Sequence, residues 1–235
     1  MTTEPDSRCP RCDKPPSFCV CDRITPQPTR TRVLILQHPR EQDRDYGTAS
    51  LVLAMLPSAE KRVGLSWASL AAATGDDAAD ARRWAVLYPH SLLKELPPDL
   101  AAKPVLFLDR QGDEREDKSP LDGVIVLDGS WSQAKAIWWR NAWLLKLNRA
   151  VLHPTEPSIY GKLRREPRRE AVSTLEAVGD LLVANGEAKE VREALRKVFR
   201  TMVQRARDAA AKAAPRPAEP AASTPSEPPS GVEDD

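Results

Sequence analysis

An acidic residue at the end of an apolar run is the strongest candidate for chemistry in this sequence. Residues 124–127 are apolar and mostly β-branched, and Asp128, Gly129, Ser130 and Trp131 follow them directly. A strand that delivers a carboxylate into a turn before a helix is where open α/β sheets hold their ligands. Asp128 is therefore the candidate catalytic group, with Ser130 and Trp131 beside it.

A capping motif follows this acid. Ser130 and Gln133 have capping-box spacing, which predicts a helix from Trp131 to about Leu147. The first N–H groups of that helix suit an anion, such as a ligand carboxylate. The alternative is that Asp128 and Ser130 only satisfy backbone donors at a turn. Trp131 is the candidate for stacking on a base, whereas core packing is expected for most of the other tryptophans of this segment.

All four cysteines of the chain lie close together near its N-terminus, as Cys9-x2-Cys12 and Cys19-x-Cys21. Zinc prefers four soft ligands in a tetrahedron, and two close pairs on one loop can supply them. Two disulfides and an iron–sulfur cluster are the alternatives that use the same residues. The spacing favours structural zinc, which would supply folding energy to a segment too short for a core of its own.

Two further segments carry polar side chains that could bind a substrate or take part in catalysis. His38 and Glu41 follow a predicted strand at 32–37, although a histidine beside a proline is often only a structural hydrogen-bonding residue. Residues 158–169 form a basic loop, and arginine suits bidentate contacts with phosphate or carboxylate. A solvated loop without a partner is the alternative reading. The candidate substrate contacts in this loop are Tyr160, Lys162, Arg164 and Arg165.

The elements that must position these residues alternate along the chain. Ser173 and Glu176 have the spacing of a second capping box, at the start of a helical C-terminal half. Apolar runs that alternate with helical segments predict a largely parallel α/β sheet with helices on both faces. The predicted strands cover residues 32–37, 61–65, 85–89, 105–108, 121–127 and 151–152. The predicted domains are a cysteine segment (1–30), a catalytic domain (31–207) and a disordered, Pro- and Ala-rich tail (208–235).

The composition excludes some classes of protein. The 235 residues include 35 Lys and Arg against 34 Asp and Glu, so any basic surface must be local. No apolar run approaches the roughly 20 residues that span a bilayer. The N-terminus has neither the basic nor the apolar region of a signal peptide. We therefore expect a cytoplasmic protein that has no membrane partner.

Together these segments resemble the DTW-domain family, which is named after an Asp-x-Thr-Trp motif. In this sequence Ser130 replaces the threonine and keeps its hydroxyl. Gly47 stands where relatives usually have asparagine, and Gly161 where they often have arginine. The matching segments are the four cysteines, Leu36-Gln37-His38-Pro39-x-Glu41, Leu127-Asp128-Gly129-Ser130-Trp131, Ser158-x-Tyr160-x3-Arg164-x2-Pro167 and Ser173-Thr174-Leu175-Glu176-Ala177.

The resemblance implies a tRNA-uridine aminocarboxypropyltransferase. Such an enzyme moves the 3-amino-3-carboxypropyl group of S-adenosylmethionine to N3 of a uridine, here expected at position 47 of the variable loop. The products are acp3U and methylthioadenosine. The resemblance also implies a SPOUT-related fold with a knotted C-terminal pocket. The alternatives are a SPOUT-like RNA methyltransferase and a zinc-ribbon RNA-binding protein without activity.

The resemblance also assigns roles to individual residues. Asp128 would accept the N3 proton or orient the uridine, with Ser130 and Trp131 completing the catalytic group. Arg164 is the candidate partner for the carboxylate of the donor. S-adenosylmethionine would contact Leu127, Asp128, Ser173, Thr174 and Glu176. The tRNA would contact His38, Glu41, Tyr160, Lys162, Arg164 and Arg165, and structural Zn²⁺ would bind Cys9, Cys12, Cys19 and Cys21.

Overall fold

A six-stranded, mostly parallel β-sheet lies at the centre of the computed structural model. The structure describes residues 8–41, 45–87, 103–161, 163 and 172–213. Within these ranges the strands are β1 (Arg32–Gln37), β2 (Ala59–Val63), β3 (Trp84–Leu87), β4 (Val105–Leu108), β5 (Gly123–Asp128) and β6 (Asn148–Leu152). Their order is β2-β1-β5-β3-β6-β4, and the edge strand β4 runs antiparallel to β6.

Helices cover both faces of this sheet. They are α1 (Ala49–Met55), α2 (Leu70–Thr74), α3 (Trp131–Arg140), α4 (Thr174–Ala184) and α5 (Lys189–Ala213). Consecutive strand residues point to opposite faces, which divides the apolar side chains of β1. Val33 and Ile35 pack in one core with α1, α4 and α5, while Leu34 and Leu36 pack in another with α2 and α3. The predicted α/β class with helices on both faces is confirmed.

The helix that follows β5 is shorter than predicted. It ends at Arg140, and a 3-10 helix at Ala142–Lys146 replaces the turns predicted up to Leu147. The cause is buried Asn141, whose side-chain amide donates to the carbonyl of Ile137 at 2.7 Å and also bonds the loop after β2. Asparagine competes with helical backbone hydrogen bonds in this way. The predicted helix end was therefore wrong.

Several strands differ from the prediction at their ends. β2 starts at Ala59 and ends at Val63, whereas the apolar pattern placed it at 61–65. β6 begins at Asn148, three residues before the predicted strand, because its pairing with β3 and β4 is set by the sheet and not by an apolar run. β3 ends at Leu87, and the predicted continuation to residue 89 lies outside the described residues.

The cysteine segment shares a core with the sheet. Cys12, Phe18 and Val20 are buried in the same cluster as α1 and α5. Lys14, only 1% exposed, donates to the carbonyl of Gly47. The buried residues of the cysteine segment therefore belong to the core on this face of the sheet. α5 continues to Ala213, beyond the predicted start of the tail, and residues 214–235 lie outside the described residues.

Among the described residues no helix combines the length and the apolar character that a membrane span requires.

Candidate functional site

Asp128 lies at the carboxyl edge of the sheet centre. It ends β5, and the register pairs it with Gln37 at the end of β1. The backbone N–H of His38 donates to the carbonyl of Asp128 at 3.0 Å, so the loops after both strands start side by side. β1 continues into α1 on one face, and β5 continues into α3 on the other. A crevice between two such loops is the usual ligand site of an open α/β sheet.

Two neutral side chains hold the carboxylate of Asp128. Gln37 Nε2 donates to Oδ2 at 2.7 Å, and Thr174 Oγ1, on the first residue of α4, donates to Oδ1 at 2.5 Å. The carboxylate is half-buried. Each carboxylate oxygen can accept more than one hydrogen bond, so the group stays able to accept a further donor. The two contacts fix the orientation of Asp128 without neutralising its charge.

Gln37 is the site residue that sequence reasoning missed. The sequence pattern places Gln37 at the end of the predicted strand 32–37 and assigns it no role of its own. Its contact with Asp128 depends on the parallel pairing of β1 with β5, strands that lie about ninety positions apart in the chain. The only local signal is a polar residue that ends an apolar strand. Thr174, by contrast, was among the predicted residues.

The turn after Asp128 leads into a capped helix, as predicted. Gln133 N donates to Ser130 Oγ at 3.4 Å, and Ser130 N donates to Gln133 Oε1 at 2.6 Å. Gly129 has a φ of +149°, and a Cβ there would lie 2.8 Å from Gln133 Oε1, so glycine is required. Trp131, half-buried, is the first residue of α3. The N-termini of α3 and α4 both lie next to Asp128, and their dipoles favour negative charge.

The second predicted capping box is also confirmed, and it anchors a loop. Glu176 is 2% exposed, and its Oε2 accepts hydrogen bonds from Ser173 N at 3.1 Å and Ser173 Oγ at 2.8 Å. The same oxygen accepts from Ser158 Oγ at 2.7 Å, while Oε1 accepts from Ile159 N at 2.9 Å. Leu175 N donates to Thr48 Oγ1 at 3.1 Å. Glu176 therefore joins the start of α4 to the loop after β6.

The four cysteine sulfurs converge on one point. All four Sγ atoms lie within 4.8 Å of one another, with Cys9 and Cys21 at 3.3 Å and Cys12 and Cys19 at 3.6 Å. All are free thiols. A tetrahedral zinc site with Zn–S bonds of about 2.3 Å needs sulfurs roughly 3.8 Å apart. The cluster therefore has the donor set and the spacing to hold a metal ion.

Hydrogen bonds and burial shift the pKa values of three of the cysteine thiols in different directions. Backbone hydrogen bonds from Cys12 and Arg11 lower the pKa of Cys9 to about 6, which favours its thiolate. Burial raises the pKa of Cys12 and of Cys21. Metal ligation requires thiolates, so binding an ion would release protons from Cys12 and Cys21.

Comparison with known proteins decides the family. The model of the DTW domain matches residues 6–207. The chain belongs to the DTW-domain family. Among curated proteins it is similar to tRNA-uridine aminocarboxypropyltransferase 2 of Macaca fascicularis, with 27% identity over 183 residues that cover 75% of this chain and 56% of that protein. No solved structure matches the chain.

Two more relatives of the DTW-domain chain carry the same name. The protein of Mus musculus is 28% identical over 177 residues, which cover 72% of this chain and 53% of that protein. The protein of Drosophila melanogaster is 26% identical over 203 residues, which cover 83% and 73%. The chain spans about half the length of the curated mammalian relatives that it matches.

Of the other predicted substrate contacts of this DTW-domain protein, two lie at the carboxyl edge of the sheet, one is buried and three lie outside the described residues. His38 follows β1 beside Asp128, and its Nδ1 accepts from the backbone N–H of Arg40 at 3.0 Å. The N–H of Glu41 donates to the carbonyl of His38 at 2.9 Å, so both lie at the same edge. Tyr160 is 1% exposed and its hydroxyl donates to the carbonyl of Tyr46. The structure does not describe Lys162, Arg164 and Arg165.

The anchoring role of Glu176 gives a stability prediction. We expect Glu176→Gln to lower the free energy of unfolding by about 2 kcal/mol, because the amide nitrogen would replace an oxygen that accepts a buried N–H. Urea denaturation followed by circular dichroism measures this. Glu193→Gln on the exposed side of α5 is the matched control and should stay within about 0.5 kcal/mol of wild type. Equal stability of the two variants would contradict the anchor.

Proposed function

We propose that this DTW-domain protein transfers the 3-amino-3-carboxypropyl group of S-adenosylmethionine to N3 of a tRNA uridine. The family match and the names of the relatives support this reaction. The observation that carries it in the chain itself is the carboxylate of Asp128, held by Gln37 and Thr174 at the carboxyl edge of the sheet. The products are acp3U and methylthioadenosine, and we propose the variable loop of the tRNA as the site.

The reaction needs a proton acceptor and an aligned nucleophile. The N3–Cγ bond forms while the Cγ–S bond breaks, and its electron pair goes to sulfur, which leaves as the neutral thioether methylthioadenosine. The N3 proton must leave for N3 to become a good nucleophile. Asp128 can accept that proton or hold the N3–H while solvent takes it. Because the carboxylate has a fixed orientation, the uridine that it binds would also have a fixed orientation. Holding two reactants in the right geometry raises the reaction rate.

The donor must be bound so that Cγ, and not the methyl group, faces N3. In our proposal the N-terminus of α3 and Arg164 bind its carboxylate, since helix N-termini and arginine both suit anions. Leu127 and Thr174 lie next to Asp128 and would contact the donor. The side chains of Ser173 and Glu176 are occupied by the capping box and the loop, so their part in donor binding would be to position Thr174.

The proposal also includes the topology of the C-terminal part and the identity of the metal ion. We propose a SPOUT-related fold in which the C-terminal part forms a knotted pocket, and the N-terminus of α4 against Asp128 supports a pocket there. We propose zinc as the ion of the cysteine cluster. With four thiolates it would have no open position for catalysis, so its role is structural. A reducing compartment such as the cytoplasm keeps cysteine thiols reduced, so that they can bind a metal.

One incubation tests the reaction. Purified protein, unmodified tRNA and S-adenosylmethionine are combined, and the nucleosides and small-molecule products are analysed by mass spectrometry. We expect acp3U together with methylthioadenosine. A methylated nucleoside with S-adenosylhomocysteine would instead establish a methyltransferase. Binding of tRNA with no consumption of S-adenosylmethionine would establish an RNA-binding protein.

The contact from α4 gives a prediction about rate. Thr174→Val removes the hydroxyl that donates to Asp128 Oδ1 and keeps the shape of the side chain. A hydrogen bond to a charged group is worth about 1.5–3 kcal/mol, so we expect the rate of acp3U formation to fall roughly 10- to 100-fold. Thr174→Ser keeps the hydroxyl and should retain most of the activity. A Val variant as active as the Ser variant would show that the hydroxyl is dispensable.

A further inference from the structure

We infer that a cleft between the cysteine loop, α1 and β2 binds the phosphodiester backbone of the tRNA; this inference rests on the proposed function and adds a substrate contact to it. The cleft has a volume of about 490 Å³ and is open to solvent. Its walls come from three different elements. It is lined by Arg8, Cys9, Pro10, Arg11, Asp13, Ser50, Leu53 and Lys61.

The cleft carries an excess of positive charge. Its acid, Asp13, pairs with Arg8 at 3.0 Å, and Arg8 also pairs with Asp45 at 2.6 Å. Arg11 and Lys61 form no ion pair within the part of the chain that the structure describes. These two cations therefore remain for an external anion.

Many other arginines of the described chain are already paired. Arg83 lies 2.7 Å from Asp122, Arg205 lies 2.8 Å from Asp22, and Arg196 lies 2.6 Å from Glu156. The net charge of the chain is only +1, so an RNA substrate must be held by local sites rather than by the whole surface. A cleft with two uncompensated cations is such a site.

The position of the cleft fits a strand of RNA that reaches Asp128. Lys61 pairs with Ile35, and Ile35 pairs with Val126, two residues before Asp128. Side chains two residues apart share a face, so Lys61 and Asp128 point to the same side of the sheet. β2 and β5 are two strand spacings of about 4.8 Å apart. Measured across the strands, Lys61 is therefore about 10 Å from Asp128, and it lies two residues further from the carboxyl edge.

The chemistry of the lining suits phosphate. Arginine binds phosphate with paired N–H donors, and lysine binds it as a point charge. The hydroxyl of Ser50 adds a neutral donor to the lining. Cys9 lies in the wall, so a metal ion in the cysteine cluster would also hold Arg8 and Arg11 in place. Phosphate contacts position a nucleic acid without reading its sequence, which suits a site beside the reacting uridine.

The test is the salt dependence of tRNA binding by the zinc-loaded full chain. The variant Arg11→Gln/Lys61→Gln removes both cations, and binding of an unmodified tRNA transcript is measured by fluorescence anisotropy at several salt concentrations. Each lost phosphate contact lowers the slope of log Kd against log salt by about 1, so we expect a decrease of about 2. At physiological salt we expect Kd to rise about tenfold. The KM for S-adenosylmethionine should not change.

A charge-matched control separates a specific contact from general charge. Arg82→Gln/Lys118→Gln removes two exposed cations that lie in surface ion pairs with Asp80 and Glu114. This control should keep the wild-type slope and Kd. Equal slopes for the cleft variant and wild type would overturn the cleft proposal, and so would an equal loss in the control.

Further readouts keep the result interpretable. Zinc content and melting temperature are measured for each variant, and Lys61→Gln alone, on the edge strand β2 and outside the cysteine loop, should still lower the slope by about 1. A wild-type chain that binds tRNA with this charge dependence but forms no acp3U would contradict the proposed function while supporting the cleft. A wild-type chain that binds no tRNA would overturn both.

Discussion

Asp128→Asn is expected to lower the rate of acp3U formation by at least about 100-fold, because a positioned base contributes roughly 10²- to 10⁴-fold. The fold should survive. The new amide oxygen can accept from Thr174, and the amide of Gln37 can rotate to present its oxygen to the new NH₂ group. Initial rates with saturating tRNA and S-adenosylmethionine, together with a thermal melt, measure both properties.

A control at the other end of the same strand isolates the effect. Asp122 immediately precedes β5 and pairs with Arg83 on the surface, so Asp122→Asn makes the same chemical change at the opposite edge of the sheet. This variant should stay within about twofold of the wild-type rate, as expected for an exposed ion pair worth under 1 kcal/mol. Near-normal activity of Asp128→Asn would remove Asp128 from the essential residues and leave it as a structural partner of Gln37 and Thr174.

Cys12→Ser is expected to abolish stoichiometric zinc binding and to lower the melting temperature by about 10 °C. Cys12 is fully buried in the same core as α1 and α5, so losing the metal also loosens packing against these helices. The segment bonds Asp45 and Gly47, and the next residue, Thr48, accepts from the N–H of Leu175 at the start of α4. We therefore expect tRNA modification to decrease as well.

Ser17→Ala is the control for this experiment because it changes an exposed residue of the same segment. It should keep one zinc per chain and the wild-type melting temperature. Zinc is counted by elemental analysis of protein purified under reducing conditions. A Cys12→Ser variant that lacks zinc but melts like wild type would show that the shared core, and not the metal, stabilises the segment. Iron together with inorganic sulfide, in place of zinc, would establish an iron–sulfur cluster.

Local patterns in the sequence predicted the parts of the site that depend on neighbouring residues. Both capping boxes follow from a hydroxyl residue and a partner three positions later, and both are formed by Ser130 and Ser173. The convergence of the four cysteine sulfurs also follows from short spacings. In each case the chain between the partners is too short to allow many other arrangements, so the residue types and their spacing are sufficient.

Contacts between distant residues could not be predicted in this way. The length of α3 depends on Asn141, whose partners include the backbone of Leu65 and Trp67. An asparagine in a helical pattern ends a helix only when such partners are present. The roles of Glu176 and Tyr160 are similar, since both side chains are buried against segments that no local pattern connects to them.

The sequence by itself determined the sheet class, the helix caps and the cysteine cluster and made Asp128 the candidate catalytic group, because these depend on periodicity and on short spacings. Only the tertiary structure decided that Gln37 and Thr174 hold Asp128 and that Arg11 and Lys61 share a cleft. The physical reason is strand register. Which residues of separate strands become neighbours depends on the packing of the whole sheet, and no short stretch of the chain contains that information.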